Sequence, residues 1–317
     1  MFACIDLGGT TIAGGLGEAG GRLVAQETIA TESQLGPAGV LDRIAGLVDS
    51  LSAAAAVAGR PPEALGIGVP GLVDFAAGAT LFLPNFPTQW RGVAVRETLS
   101  ARLRCPVFLL NDARAAALGE MRFGHGRAVQ SMVYFTLGTG IGGAVVIDGK
   151  LRMGPLGAAG ELGHQTVAPA GPLCGCGNRG CLEAVASAPA LTGEGVRLLR
   201  SGQAPRLHEL TGGDASRVTP KTMAESGDAA VTDAIERVAR LIGLGAANMV
   251  TALHPELVVL GGGMSALGDL LLGPVRKELR ARVRMFPVDD VRVERSMLGD
   301  RAGLLGALAL AASGGLI

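Results

Sequence analysis

Apolar and polar positions along this chain follow two rhythms, and the rhythm changes at recurring glycines. The opening FACID is a short apolar run ending at Asp6; a second apolar run follows Gly8-Gly9, and then RLVAQET. Short runs broken by glycine turns predict successive antiparallel strands. From Pro37 to about Gly59 the spacing lengthens: Leu41, Ile44, Val48 and Leu51 fall three and four residues apart, which predicts an amphipathic helix. ALGIGV at 64–69 and PVFLL at 106–110 read as buried strands, the second running directly into the helix-like NDARAAALGEM. Strands followed by alternating strand and helix make an α/β lobe.

The same order restarts near residue 131. SMVYFT, the turn LGTGIGG, AVVIDG and KLRM repeat strand, glycine turn, strand and strand, so that Asp6-Leu7-Gly8-Gly9 aligns with Thr136-Leu137-Gly138-Thr139 about 130 residues later. The chain reads as a duplicated unit. Downstream, Ile235, Val238, Ile242, Gly245 and Met249 mark one face of a long helix that precedes the strand ELVVL at 256–260 and the turn GGGMS. Residues 155–185 have little periodicity and many glycines, which predicts a functional loop region. A chain of 317 residues exceeds one ordinary core, so two lobes around a cleft are expected, the first over 1–118 and the second over 119–317.

Composition narrows the function classes. Lysine plus arginine equals aspartate plus glutamate at 28 each, and no long basic run occurs. Nothing in that balance points to nucleic acid or anionic lipid, and small neutral ligands are the expectation. Hydrophobic residues are 48% and aromatics 3%, with 50 glycines, the profile of a Gly/Ala/Leu/Val-built α/β protein. The N-terminus lacks a signal-peptide pattern, which predicts a cytoplasmic protein. The apolar stretch at 302–317 is shorter than the roughly 20 residues a bilayer span needs, so it reads as a buried terminal helix.

Two glycine turns, each after a strand of a duplicated unit, can hold a polyphosphate, because backbone N–H groups approach phosphate oxygens most closely where no Cβ intervenes. Asn111-Asp112 lies at the carboxyl end of a strand, where α/β folds place ligands. Asp112 suits either a catalytic role or a helix cap. Asp6, ahead of Gly8-Gly9, is suited to holding Mg²⁺ through water, or to capping the turn. Three of the five cysteines fall between 174 and 181. With His164, the thiols of Cys174, Cys176 and Cys181 form an NS₃ set of the kind that holds structural Zn²⁺. A histidine with one ring nitrogen on the metal keeps the other for a ligand. Cys4 and Cys105 sit in strand contexts and read as core.

An ordered set of motifs resembles the ROK family of sugar kinases and repressors, within the actin/hexokinase-like (ribonuclease H-like) ATPases. The set comprises DLGGTT at 6–11, GVPGLVD at 68–74, LPNFPTQW at 83–90, NDARAAALGE at 111–120, TLGTGIGG at 136–143, GELGH at 160–164, CGCGNRGCLE at 174–183 and HPELVVLGGG at 254–263. The resemblance covers nearly the whole chain and is strongest to the glucokinases of the family. It implies transfer of a phosphoryl group from ATP to a free hexose, glucose first, with Asp112 as general base. Asn85, Asn111, Glu161, His164 and Glu183 would contact the sugar. Asp6, Gly8, Gly9, Thr10, Thr11, Gly138, Thr139, Gly140, Gly261 and Gly262 would contact the nucleotide and Mg²⁺, the last two at an adenosine-binding turn.

The resemblance also leaves alternatives: fructose, mannose, allose or an N-acetylhexosamine as substrate, polyphosphate as donor, or a sugar sensor without turnover. Repressors of the family carry a helix-turn-helix domain before the first phosphate turn; with five residues ahead of Asp6, the expectation is a kinase without a DNA-binding domain. Many relatives have lysine after Gly-Gly-Thr where this chain has Thr11. A homodimer or homotetramer is the expected assembly.

Overall fold

The computed structural model describes residues 1–55, 60–84 and 86–317. The first half runs β1 (Phe2–Leu7), β2 (Thr11–Gly17), β3 (Leu23–Ala30), α1 (Gly36–Ala54), β4 (Leu65–Val69), β5 (Leu72–Asp74), β6 (Ala79–Phe82), α2 (Val95–Leu103), β7 (Val107–Asn111) and α3 (Asp112–Phe123). Next come β8 (Met132–Leu137), β9 (Ile141–Ile147) and β10 (Lys150–Leu151), then α4 (Leu182–Ala186), α5 (Ala188–Arg200), α6 (Pro205–Thr211), α7 (Pro220–Ser226) and α8 (Ala229–Leu253). The chain closes with β11 (Leu257–Gly261), α9 (Asp269–Arg282), β12 (Arg292–Arg295) and α10 (Ala302–Ala312).

The duplication read from the sequence is a topological fact. One five-stranded sheet has the order β3-β2-β1-β4-β7 and the other β10-β9-β8-β11-β12. The hairpin β2·β3 recurs as β9·β10, and the parallel pairs β1·β4 and β4·β7 recur as β8·β11 and β11·β12. The central strands are apolar on both faces, as buried parallel strands require: all five residues of β4 and of β11 are buried.

Two compact units are discontinuous in sequence. The first comprises Met1–Ala128, Val145–Ala159 and Asp300–Ile317, the second Val129–Ala144 and Gly160–Gly299. A boundary at 118/119 therefore does not describe the molecule: that point lies inside α3, and the last helix belongs to the first unit. The reason lies in the glycines of the helices. α10 packs against α3 at Gly119 and Gly306, where an added Cβ would fall on the carbonyls of Ala302 and Ala115 respectively. At Gly66 the same helix lies so close to β4 that a Cβ would strike the Ala307 carbonyl.

In the first unit α1 buries Val40, Leu41, Ile44, Leu47, Val48 and Leu51, each worth about 1.5–3 kcal/mol of transfer free energy. Gly14 on β2 makes room, since its Cβ would lie 2.6 Å from Leu47. The helix stops at Ala54; the Gly59 end expected from the sequence lies outside the described residues. The helices α6 and α7 were not apparent from periodicity. Each begins at a proline and stops at a left-handed glycine, Gly212 or Gly227, so each is only seven residues long. Among the described residues no helix is long and apolar enough to cross a membrane.

Candidate active site and metal centre

In the first unit, strand register assembles the acidic groups. Asp6 on β1 lies beside Gly68 on β4, and Gly68 beside Leu110 on β7, so the ends of β1 and β7 carry Asp6 and Asn111-Asp112 to one edge of the sheet. Gly68 keeps the space between them open: a Cβ there would lie 3.6 Å from Asp6 Oδ1 and 3.7 Å from Asp112 Cα. Gly303 does the same on the other side, where a Cβ would press on the Asp6 carboxylate. Burial, and next the charge of Asp112, push the Asp6 carboxyl up to about 7. A site that penalises negative charge in this way is one that a divalent cation would relieve, so Asp6 fits a Mg²⁺-holding role.

Asn111 and Asp112 divide two tasks. Asn111 is the N-cap of α3, its side-chain oxygen accepting from the N–H groups of Ala113 (3.1 Å) and Arg114 (3.2 Å). Its amide nitrogen donates to the Gly71 carbonyl (3.0 Å) and to Asp112 Oδ1 (2.9 Å), which also accepts from Ala113 N at 2.7 Å. Asn111 is buried and Asp112 only partly so. Arg114, 1% exposed, donates through Nε and Nη2 to the Ala159 carbonyl at 3.0 and 2.7 Å. It fixes the residue two positions before Glu161, a tie that no spacing along the chain announces.

The first glycine turn is latched by a threonine. Gly8 N donates to Thr11 O (2.8 Å), while buried Thr31 donates through Oγ1 to Gly8 O (2.7 Å) and through its N–H to Thr10 O (2.9 Å). Asn85 lies outside the described residues. In the described segment that follows, the fully buried Trp90 meets Phe86 edge to face at 5.0 Å. Thr88, Gln89 and Trp90 are all left-handed, with φ of 62°, 54° and 41°, a costly run for non-glycine residues.

The second unit carries the other glycine turns. Thr136 on β8 pairs with Gly261 on β11, which puts the turn at 138–140 and the turn at 261–262 at the same end of the sheet. Gly262 has φ 77°, and a Cβ there would lie 2.5 Å from the Leu137 carbonyl. Gly138 N donates to Gly140 O at 2.9 Å, and Gly138 O accepts from Ala188 N at 2.9 Å. Ile141 N donates to Glu183 Oε2 at 2.9 Å.

GELGH is seated on β9 by two more glycines: a Cβ at Gly143 would strike Leu162, and one at Gly163 would strike the Ile141 carbonyl. Glu161 is exposed and precedes a 3₁₀ turn, Leu162–His164. His164, Cys174, Cys176 and Cys181 then converge, with ligand atoms all within 4.8 Å of one another. Cys176 Sγ and Cys181 Sγ are 3.7 Å apart, as are Cys174 Sγ and His164 Nδ1. The edge of a tetrahedron around zinc with Zn–S of about 2.3 Å is about 3.8 Å, so the cluster fits Zn²⁺; a disulfide needs a separation near 2 Å. Because Nδ1 faces the sulfurs, Nε2 is the nitrogen left for another partner. The loop around the ligands is held by backbone: isolated bridges join Thr166 to Cys181 and Leu173 to Arg179, and Cys174 N donates to Asn178 O at 2.7 Å.

Three of the expected site residues, Asp6, Asn111 and Asp112, are thus grouped in the first unit beside the turn at 8–11, and Glu161, His164 and Glu183 in the second beside the turn at 138–140. What the sequence reading missed are the supports: Thr31, Arg114, Gly68, Gly303 and the bond from Ile141 to Glu183. Small residues three apart in AGLLGALA were the one available signal, marking a close helix contact.

The sequence profile of the ROK family matches residues 2–313. A glucokinase from Thermotoga maritima is 38% identical over 312 residues, covering 96% of this chain and 95% of that one. A xylose repressor from Caldicellulosiruptor bescii is 35% identical over 252 residues, 78% of this chain but 62% of its own length. A ROK family glucokinase from Streptomyces griseus, solved in complex with glucose and AMPPNP, superposes with a TM-score of 0.85 at 36% identity, covering 98% of this chain and 99% of that one. This chain belongs to the ROK family.

Proposed function

We propose that the protein is an ATP-dependent hexose kinase that converts glucose to glucose 6-phosphate. Similarity to glucokinases over nearly the full length of both chains supports the activity. The observation that carries the reading at the level of residues is the division of tasks at Asn111-Asp112. Because Asn111 caps α3, the alternative that Asp112 is merely the helix cap loses its basis. The Asn111 amide and the Ala113 N–H orient the Asp112 carboxylate.

Phosphoryl transfer needs little covalent chemistry from the protein beyond alignment and charge neutralisation. Asp112 accepts the proton of the attacking sugar hydroxyl as the bond to phosphorus forms. Glu161, Glu183 and His164 through Nε2 hold sugar hydroxyls, and Asn111 keeps Asp112 in place. The backbone of the turns at 8–11 and 138–140 receives the phosphates, and Gly261-Gly262 the adenosine. Asp6 would hold Mg²⁺, which supplies charge neutralisation on the phosphates. Zn²⁺, when bound by His164, Cys174, Cys176 and Cys181, supplies a fixed cross-link for a loop too poor in apolar side chains to order itself.

The test is a coupled assay of ADP release over a panel of free hexoses. The expected result is release that depends on hexose, highest with glucose. Fast release without sugar, or none with any hexose, would overturn the reading; release with polyphosphate in place of ATP would change the donor. A cytoplasmic homodimer or homotetramer completes the proposal, and sedimentation analysis of the purified protein measures the assembly.

A further inference from the structure

The sequence separates the cysteine loop from the glycine turn at 138–140 by some 35 residues, and suggests that the metal serves the sugar side alone. The contacts within the second unit join them. Cys181, a buried member of the metal cluster, is the N-cap of α4. Two residues on, Glu183 places Oε2 on the Ile141 N–H at 2.9 Å, and its Oε1 lies 3.9 Å from the Cys174 sulfur. Just past α4, Ala188 N donates to Gly138 O at 2.9 Å. The turn is therefore clasped at both ends by the eight residues from Cys181 to Ala188 that leave the metal cluster. The glycine at 140 is part of the clasp, since a Cβ there would lie 2.5 Å from Glu183 Oε2.

We propose that Glu183 is a positioning residue for the nucleotide-phosphate turn, and that through it the metal loop orders ATP binding even when no sugar is present. The inference rests on the assignment of residues 138–140 to the phosphates. A carboxylate bonded to a backbone N–H is a strong, directional tie. Here it fixes the residue that closes the turn, and so fixes where the turn's own N–H groups point. A carboxylate has four acceptor positions, so a bond to Ile141 leaves Glu183 able to meet a sugar hydroxyl as well. The metal loop holds the other end of the tie. Without the metal, Cys181 keeps its bridge to Thr166 and α4 its bond from Leu182 N to Gln165 O at 2.8 Å, but the cysteine loses its link to His164, Cys174 and Cys176, and the tie slackens.

The experiment measures the dissociation constant of AMPPNP by calorimetry, without sugar, for the zinc-loaded parent, the chelated parent, Glu183→Ala and Glu183→Gln. Expected are about tenfold weaker binding for Glu183→Ala and for the chelated parent. Glu183→Gln stays within about threefold, because the amide oxygen still accepts from Ile141. Chelating Glu183→Ala adds less than about twofold, since both changes cut the same connection. If Glu183→Ala and the chelated parent both bind AMPPNP within about twofold of the loaded parent while glucose affinity falls, Glu183 is a sugar contact alone and the inference is overturned. Should Glu183→Ala not fold, Gly140→Ala pushes the turn off Glu183 and is expected to weaken AMPPNP binding similarly; unchanged binding there also overturns the proposal. A parent that binds AMPPNP but phosphorylates no hexose would overturn only the assigned activity, whereas one that binds no AMPPNP would overturn both.

Discussion

The two five-stranded sheets share one topology and carry different chemistry. At the strand ends of the first stand two carboxylates, Asp6 and Asp112; the aligned place for Asp6 in the second is Thr136, and β12, which corresponds to β7, ends at Arg295-Ser296. The second sheet has instead a glycine turn clasped by a metal-binding loop. Its first-sheet counterpart is latched by one threonine. The two frames are topologically equivalent, and under the proposed function both would receive phosphate, the first adding the proton acceptor and the second a loop that orders its turn. The helix packing differs as well. In the first unit α10 lies on α3 with glycine against backbone, whereas in the second α8 meets α9 with glycine against a side chain.

That last difference gives the largest expected effect. A Cβ at Gly306 would fall on the Ala115 carbonyl, a backbone atom that cannot turn aside, so Gly306→Ala is expected to cost about 3 kcal/mol or more by overpacking. At Gly243 the nearest atom is the Glu278 Cβ at 2.7 Å, with backbone no nearer than 3.0 Å. Helix propensity favours alanine there, so the net cost is about 1 kcal/mol. Urea denaturation of both variants measures the gap, and equal losses would erase the distinction between the two packings. Next in size, Asp112→Asn is expected to lower kcat at least about a hundredfold while glucose binding and helix content persist. Turnover within a few-fold of the parent would leave the first sheet with no catalytic distinction at all.

The sequence made much of this legible where the rhythm was local. The strand FACID, the helix at 111–121 and the long helix around Ile242 all follow from apolar spacing, and the metal ligands follow from residue types that have few other uses in proximity. What it hid was non-local. The assignment of α10 to the first unit depends on glycines at 119 and 306 meeting across nearly 190 residues of chain. Arg114 looks like one more polar residue on a helix until its guanidinium is found buried on the Ala159 carbonyl. Glu183 reads as a surface glutamate beside cysteines, and nothing in the spacing says that its oxygen closes a turn that begins 45 residues earlier. A helix cap also reads ambiguously when Asn and Asp stand side by side, since either can serve, and only the bonds to Ala113 and Arg114 assign it to Asn111.

A smaller effect comes from the electrostatics peculiar to the first sheet. Burial and Asp112 raise the Asp6 carboxyl from an ordinary 3.8 to about 7. Below about pH 4 it is protonated in both folded and unfolded chains. Between about 4 and 7 the unfolded chain releases its proton first, so folding stability falls as pH rises through this window and the cost is complete above it. Asp6→Asn cannot ionise. In the presence of EDTA its unfolding free energy, measured by urea denaturation at each pH, is therefore expected to gain on that of the parent from pH 4 to pH 8, by a difference on the order of 2 kcal/mol. A difference that does not change with pH would mean that the two carboxylates do not burden the first sheet in this way.

The smallest expected effect is at the latch of the first glycine turn. Thr31 is fully buried and gives the turn two bonds, Oγ1 to Gly8 O at 2.7 Å and N–H to Thr10 O at 2.9 Å. Thr31→Val is nearly isosteric, keeps the backbone bond and removes only the hydroxyl, so it tests one neutral hydrogen bond worth about 1 kcal/mol. The Gly8 carbonyl loses a partner, but it sits at a turn whose closing bond, Gly8 N to Thr11 O, remains. The expected result is a KM for ATP raised about threefold, with kcat unchanged and unfolding free energy lower by about 1 kcal/mol. Replacing Glu183 removes a charged acceptor from the other turn, and the loss there should be larger. Steady-state kinetics of Thr31→Val beside Glu183→Ala at saturating glucose compares the two latches directly. If the threonine variant raised the KM for ATP as much as the glutamate variant, the two turns would depend equally on their supports, and the metal loop would give the second turn no order that a single threonine does not already give the first.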